Sequence, residues 1–196
     1  MRNKGIHVFL ILLSIFLINE LLANEAIASI RDSDFVELCK IGSLEEINNA
    51  ILSGANVNAR SEERDITPLI AAAGSNTNSQ VITALLMAGA DITRKSSRDE
   101  TPLMFAARYN LDPKAVEAMI KVLIAAGDDI NAKDKDGRTP LIFAATYSNV
   151  QGVLILLNNG ADAKVRDNFG MRPIDLAQTK KGFAGTEAMR KLRAAS

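Results

Sequence analysis

Two short markers alternate along the chain at a nearly constant interval, and they constrain the fold more than any other feature. The first is a Thr-Pro-Leu triplet, with a degenerate Arg-Pro-Ile form at its last position; these triplets begin at Thr67, Thr101, Thr139 and Arg172, which are 34, 38 and 33 residues apart. The second is a glycine that precedes a small or acidic residue, at Gly54, Gly89, Gly127 and Gly160. Such self-similarity predicts a stack of repeated supersecondary units.

Each marker has a local structural role. Threonine before proline predicts a helix N-cap followed by the first helical position, where the fixed φ and missing N–H of proline are tolerated. A second amphipathic stretch follows, as Val116, Ile120 and Leu123 show by their spacing. The marker glycine then ends that helix in the left-handed conformation. Gly152, inside a predicted helix, is instead a position where we expect alanine to fit.

This pattern resembles the ankyrin repeat, whose period is about 33 residues with a T-P-L-H-x-A signature. Residues 131–141, NAKDKDGRTPL, are similar to that family almost throughout. The resemblance implies an all-α fold, an ankyrin-repeat solenoid of stacked helix-turn-helix units with connecting hairpin-like turns. We expect one domain over 29–196, with repeats at about 30–63, 64–97, 98–135 and 136–168 and a truncated repeat at 169–196.

Three features depart from the family. Its histidine after Thr-Pro-Leu is replaced by Ile70, Met104 and Ile142, so apolar packing is expected in its place. Repeat three carries about five extra residues around 109–118, where Asp112-Pro113 predicts a new cap and a second helix longer by about one turn. This insertion is either a harmless length change or a binding feature. Asp128 occupies a position where the family usually has alanine.

Residues 1–28 have the organisation of a secretory signal peptide. A positive start with Arg2 and Lys4 precedes the apolar run 8–18, and Ala26-Ile27-Ala28 offers a cleavage site. The alternative is an uncleaved membrane anchor, but the run is short against the roughly 20 residues that a span needs. We therefore expect an exported protein with no stable membrane insertion after cleavage. An isoleucine- and phenylalanine-rich signal fits a bacterium, which favours a periplasmic location, with secretion as the alternative.

Composition argues against several functions. The 23 basic and 23 acidic residues balance, so the chain lacks the positive field that nucleic-acid binding needs. The single histidine, His7, lies in the predicted signal. Cys39 lies on the apolar stripe of a predicted helix, where a buried, inert thiol is expected, with intermolecular pairing as the alternative. We interpret the acid pairs Asp128-Asp129 and Asp134/Asp136 as solvated. No enzyme, cofactor or metal site is predicted.

The resemblance implies that a partner is bound by the concave side of the stack. In this family, contacts come from the turn before each Thr-Pro and from the two residues after the paired alanines of the first helix. The corresponding positions here are Arg64, Ile66, Arg98, Glu100, Arg108, Tyr109, Asp136, Arg138, Thr146, Tyr147, Phe169 and Met171. Tyrosine and arginine often dominate binding energy at interfaces. Phe105 and Phe143 recur at the same interval, but their helix position predicts core packing.

The expected function is thus a non-enzymatic protein–protein interaction module. The sequence does not identify the protein partner, and the expected state is a monomer or a weak homo-oligomer. The alternative is a structural or self-associating envelope protein. In that case exposed Ile66, Phe169 and Met171 would form the contact between copies.

Overall fold

Helices account for just over half of the residues that the structure describes. The computed structural model describes residues 30–108 and 113–196, and the side chains of all of these except 113–115. Within that part the chain forms ten α-helices, one 3-10 turn between the last two, and no strand. The helices are α1 (Asp32–Ile41), α2 (Leu44–Leu52), α3 (Pro68–Ser75), α4 (Ser79–Met87), α5 (Pro102–Arg108), α6 (Pro113–Ala125), α7 (Pro140–Thr146), α8 (Val150–Asn158), α9 (Pro173–Gln178) and α10 (Glu187–Ala195).

The helices form two layers. The odd-numbered helices pack on one another in chain order, and so do the even-numbered ones. Buried apolar side chains from every repeat merge into a single core cluster, from Phe35 to Leu192. The predicted all-α solenoid of stacked helical pairs is therefore confirmed. We call the surface made by the odd-numbered helices and the turns between repeats the inner face, and the surface of the even-numbered helices the outer face.

The first helix of each central repeat begins as the sequence predicts. The hydroxyl oxygens of Thr67, Thr101 and Thr139 accept hydrogen bonds from the backbone N–H three residues later, at 3.2, 3.4 and 3.4 Å. Proline occupies the first position of each of these helices. Each cap satisfies one backbone donor that the first helical turn leaves open. Ile70, Met104 and Ile142 are fully buried, so apolar packing does occupy the family's histidine position.

The marker glycines end the second helices. Gly54, Gly89, Gly127 and Gly160 have φ angles of 88°, 91°, 95° and 89°, in the left-handed region that favours glycine. The backbone N–H that follows each glycine donates to a carbonyl five residues earlier, as from Ala161 to Leu156 at 3.0 Å. This is the pattern that closes a helix C-terminus.

Adjacent repeats are also joined at the tips of their turns. The backbone N–H of Ser97 donates to the carbonyl of Arg64 at 2.9 Å, and that of Lys135 donates to Arg98 at 3.0 Å. Asn168 repeats the contact with Asp136 at 2.9 Å. Each repeat therefore aligns the turn of the next, which holds the turn residues of the inner face in register.

Two repeats depart from the common pattern. Helix α6 has 13 residues whereas α2, α4 and α8 have nine, so the predicted lengthening of repeat three by about one turn is confirmed. Pro113 begins that helix, while its predicted cap, Asp112, lies outside the described residues. The fifth repeat, which we expected to be truncated, contains both helices. Its second helix, α10, packs on α8, and Ala188, Met189 and Leu192 of α10 are buried.

The predicted signal peptide, residues 1–28, lies outside the described residues and stays a prediction. Over residues 30–108 and 113–196, none of the helices combines the length and the apolar character that a bilayer crossing requires.

Candidate functional site

The structure separates the predicted binding residues by exposure. Four are exposed at the surface: Arg64, Arg98, Tyr147 and Phe169. Five are partly buried: Arg108, Asp136, Arg138, Thr146 and Met171. Ile66 and Glu100 are buried, and Tyr109 lies outside the described residues. The turn positions thus divide into residues that present a surface and residues that support it.

Glu100 supports the inner face and does not present a carboxylate to a partner, contrary to the prediction. Its side chain is fully buried. One carboxylate oxygen accepts from Arg64 at 2.9 Å and from the Ser96 hydroxyl at 3.1 Å, and the other accepts from Arg108. A buried carboxylate needs such partners, because desolvation would otherwise disfavour its charge. Glu100 therefore joins its own turn to Arg64 in the preceding turn and to Arg108 at the end of α5.

Arg108 lies at the centre of an aromatic cluster. Its guanidinium carbon is 5.2 Å from the ring centroid of Phe105, 4.7 Å from that of Phe143 and 5.5 Å from that of Tyr147. Arg138 covers Phe143 at 4.6 Å. Each distance is within the range of a cation–π attraction. Phe105 is 6% exposed and Phe143 is 1% exposed, so their predicted core positions are confirmed.

A second set of ion pairs continues along the turns. Asp134, which we expected to be solvated, is buried and accepts from Nε and Nη2 of Arg138 at 2.9 and 2.7 Å. It also accepts from the backbone N–H of Asp136 and of Arg138. Arg98 donates to Asp136 at 2.6 Å across the two turns. Both acids are thus paired with arginines: Asp134 is less exposed than Arg138, and Asp136 is less exposed than Arg98. The side chains of Arg64 and Arg98 are about half exposed.

A groove opens on the inner face over the first two repeats and the beginning of the third. It has a volume of about 390 Å³ and lies between α1, α3, α5 and the turn over residues 61–66. Lys40, Glu63, Arg64, Ala71 and Phe105 are among the residues that line it. Ile66 also lines this groove, but it is only 9% exposed, so the expectation that it forms an exposed contact between copies is wrong.

Asp128 is buried, where we expected a solvated acid. Its carboxylate accepts from the backbone N–H of Leu103 at 2.8 Å, which caps the beginning of α5 from the end of α6. Burial raises the pKa of Asp128 to about 6, because desolvation disfavours the anion more than the donors from Leu103 and Thr101 stabilise it.

The raised pKa predicts a pH-dependent loss of stability. The folded pKa lies above the unfolded value of 3.8, so the stability contribution of Asp128 is complete below that pH and is lost as pH rises through about 6. At about 1.4 kcal/mol per pKa unit, the whole contribution is about 3 kcal/mol, of which about 2 kcal/mol is lost between pH 4 and 7. Asp128→Asn should abolish this part of the pH dependence. Urea melts of both proteins at several pH values measure the difference, and parallel profiles would contradict it.

Cys39 lies in the core. Cys39 is fully buried, as expected, and burial raises the pKa of its thiol to about 12. The thiolate, which is the reactive form, is therefore disfavoured. In the part of the chain that the structure describes, no group of three His, Cys, Asp or Glu side chains is arranged to hold a metal ion.

These features define a helical repeat protein whose neighbouring units share one core and one grooved face. The family model for ankyrin repeats (3 copies) matches residues 77–167 and, in a second match, residues 114–190. The two matches together span more than half of the chain, and the protein belongs to the ankyrin-repeat family. Ankyrin repeats are generally protein–protein interaction modules and are typically non-enzymatic. A search of curated proteins finds no match to this chain.

Proposed function

We propose that this protein is a non-enzymatic binding module that holds a segment of a partner protein against its inner face. The observation that carries the proposal is the position of Tyr147. Its ring is 45% exposed, yet it stacks on Phe143 with ring centroids 6.4 Å apart and planes 12° apart. An exposed aromatic ring held by a buried one offers a large contact area with little conformational freedom to lose.

The arginines beside Tyr147 are held in the same way. Arg108 contacts Tyr147 on one side and is paired with the buried Glu100 on the other. Arg64, which shares Glu100, extends this surface to the wall of the 390 Å³ groove. Side chains that are already ordered lose less entropy when a partner binds. The groove and the ring of Tyr147 therefore form the two ends of one preorganised surface.

Two exposed turn residues extend this surface along the stack. Phe169 is 78% exposed at the turn before the fifth repeat, and Arg98 is about half exposed at the turn before the third. Both lie at positions that the family resemblance assigns to partner contact. Tyr109 is the equivalent of Tyr147 one repeat earlier in the sequence, and its role stays a prediction.

Replacing Tyr147 with alanine tests the proposal. We expect partner affinity to fall by about 1 to 3 kcal/mol if Tyr147 is a hot spot, while the free energy of unfolding falls by about 1 kcal/mol or less. The partner is first captured by crosslinking and pull-down from the native compartment, and is then titrated against the purified variant beside urea melts.

The matched control is Leu52→Ala. Leu52 is 84% exposed on the outer face, so its truncation removes a comparable exposed apolar group from the opposite side of the stack. This variant should bind the partner as the wild type does. Equal binding by wild type and Tyr147→Ala, or equal weakening by both variants, would show that the inner face is not the recognition surface.

We also propose that residues 1–28 direct export and that the mature protein meets its partner in the periplasm. This proposal rests on the charge, apolar run and small-residue site of that segment, and it determines where the crosslinking is done.

A further inference from the structure

The net charge of the stack lies in its first and last repeats. Residues 30–63 contain seven acidic and three basic residues, whereas residues 169–196 contain six basic and two acidic ones. The three repeats between them, residues 64–168, contain 12 acidic and 12 basic residues. The chain is formally neutral only because two oppositely charged ends cancel. We call residues 30–63 the acidic end and residues 169–196 the basic end.

Much of this charge is not used inside the molecule. In the basic end, Lys181, Arg190 and Arg193 are exposed and make no ion pair with any described residue. In the acidic end, the same holds for the exposed Asp32 and Glu45. Exposed charges without internal partners are available to pair with another molecule.

The helices of the two ends pack on a described neighbouring repeat on one side only. Helices α1 and α2 pack on α3 and α4, and α9 and α10 pack on α7 and α8, but neither pair has a described repeat beyond it. The acidic end also contains an exposed apolar side chain, because Ile41 at the end of α1 is 87% exposed.

We propose that copies of this protein associate head to tail, with the basic end of one copy docked on the acidic end of the next. Opposite charge on the two ends attracts copies in this orientation, whereas like charge opposes contact between two acidic or two basic ends. A contact between two different surfaces of the same chain is heterologous, so it continues as an open series unless its rotation closes a ring. The acids that this contact depends on, Asp32 and Glu45, do not line the inner-face groove, and Tyr147 is not part of either end, so the contact is independent of the proposed function.

The salt and concentration dependence of sedimentation tests the association. At about 10 mM salt the Debye length is roughly 30 Å, and at physiological ionic strength it is about 8 Å. The apparent dissociation constant of the purified protein should therefore rise at least about tenfold between these conditions. At low salt the mean mass should keep rising with concentration. A protein that stays monomeric throughout, or whose mass stops at a dimer, overturns the proposal.

Charge reversal at each end identifies the surfaces. The first variant, Arg190→Glu with Arg193→Glu, leaves four basic and four acidic residues in the basic end; the second, Asp32→Lys with Glu45→Lys, leaves five of each in the acidic end. Each variant alone should lose association, because one of its two ends then carries no net charge and no longer attracts the other. An equimolar mixture should regain it, since each variant offers the charge that the other one lacks. Failure of the mixture to associate, with both variants folded by circular dichroism, overturns the proposal.

The matched control is Lys133→Glu with Lys164→Glu. Both lysines are exposed in the central repeats, and this variant changes the net charge by the same amount as the Arg190 and Arg193 pair. It should associate as the wild type does. Loss of association in this variant would mean that net charge, and not the charge of the ends, controls the contact, and would contradict the proposal.

Discussion

Replacing Phe143 with alanine is expected to lower the free energy of unfolding by about 3 to 5 kcal/mol. The ring is 1% exposed and fills the space between α5 and α7. Truncation leaves a cavity in that space and also removes the surface that Arg108 and Arg138 cover at 4.7 and 4.6 Å. A void in a well-packed core is only partly refilled by its neighbours, so the loss exceeds the transfer free energy of the ring alone.

Phe169 provides the control for this truncation. It is the same residue type, but it is 78% exposed on a turn tip, and Phe169→Ala should change the stability by about 0.5 kcal/mol or less. Urea melts followed by circular dichroism compare the two variants. Because repeats interact mainly with their neighbours, the Phe143 variant should also broaden the transition as its two flanking repeats separate. Equal melts for the two variants would show that Phe143 is not a packing residue.

The architecture could be predicted from the sequence because its determinants are local and repeat. Threonine caps, prolines at the first helical position and glycines with φ near +90° act within a few residues of their own positions. Once these markers fix where helices begin and end, the period fixes which helices stack. Even the longer α6 follows from a local count of inserted residues.

The exposure of individual turn residues could not be predicted in the same way. The family register places Ile66 and Glu100 on the turns, but burial depends on side chains from other repeats. Glu100 is enclosed by Arg64, which is 36 residues earlier, and by Arg108 on the following helix. The sequence offers one signal for the burial of Glu100: an arginine stands at a predicted binding position in the preceding turn, Arg64, and on the following helix, Arg108. That pattern suggests pairing only when the turns are known to be adjacent.

Two asparagines between helices were missed for the same reason. Asn76 donates to the carbonyls of Cys39 and Gly42 at 3.1 and 2.9 Å, and so ties its loop to the previous repeat. Asn149 donates to the carbonyl of Ala107 at 3.1 Å and accepts from Gly152 at 2.8 Å. Polar loop residues are common in any sequence, and only the fold shows which ones satisfy the carbonyls of a neighbouring helix.

The same contact corrects our expectation for Gly152. A Cβ at that position would lie 2.6 Å from Nδ2 and 2.7 Å from Cγ of Asn149. The Asn149 side chain is buried and held at both ends, so it cannot move aside freely. Helix propensity favours alanine inside a helix, but here the cap of α8 needs the space that only glycine leaves.

Replacing Glu100 with glutamine is the second substitution for which we expect a large effect, a loss of about 3 kcal/mol or more in unfolding free energy. Glutamine keeps the size of the side chain but removes the charge that compensates Arg108. The Arg108 side chain is only 14% exposed, so its guanidinium would keep its charge with little water to solvate it. Arg64→Gln should lose only about 1 kcal/mol or less, because Arg64 is 44% exposed and the buried Glu100 keeps its donors Arg108 and Ser96.

A double-mutant cycle separates the pair from the packing around it. In Glu100→Gln, the charge of Arg108 is left without its partner, and this costs stability. Removing both groups in Glu100→Gln combined with Arg108→Gln avoids that cost, so the double variant should lose clearly less stability than the sum of the single variants. Urea melts of the four proteins give the coupling free energy, which we expect to be about 1 to 3 kcal/mol. The consequence extends to the inner face, since Arg108 also contacts Tyr147. A coupling near zero would mean that Glu100 does not hold Arg108 in place, and the surface around Tyr147 would then not be preorganised by this ion pair.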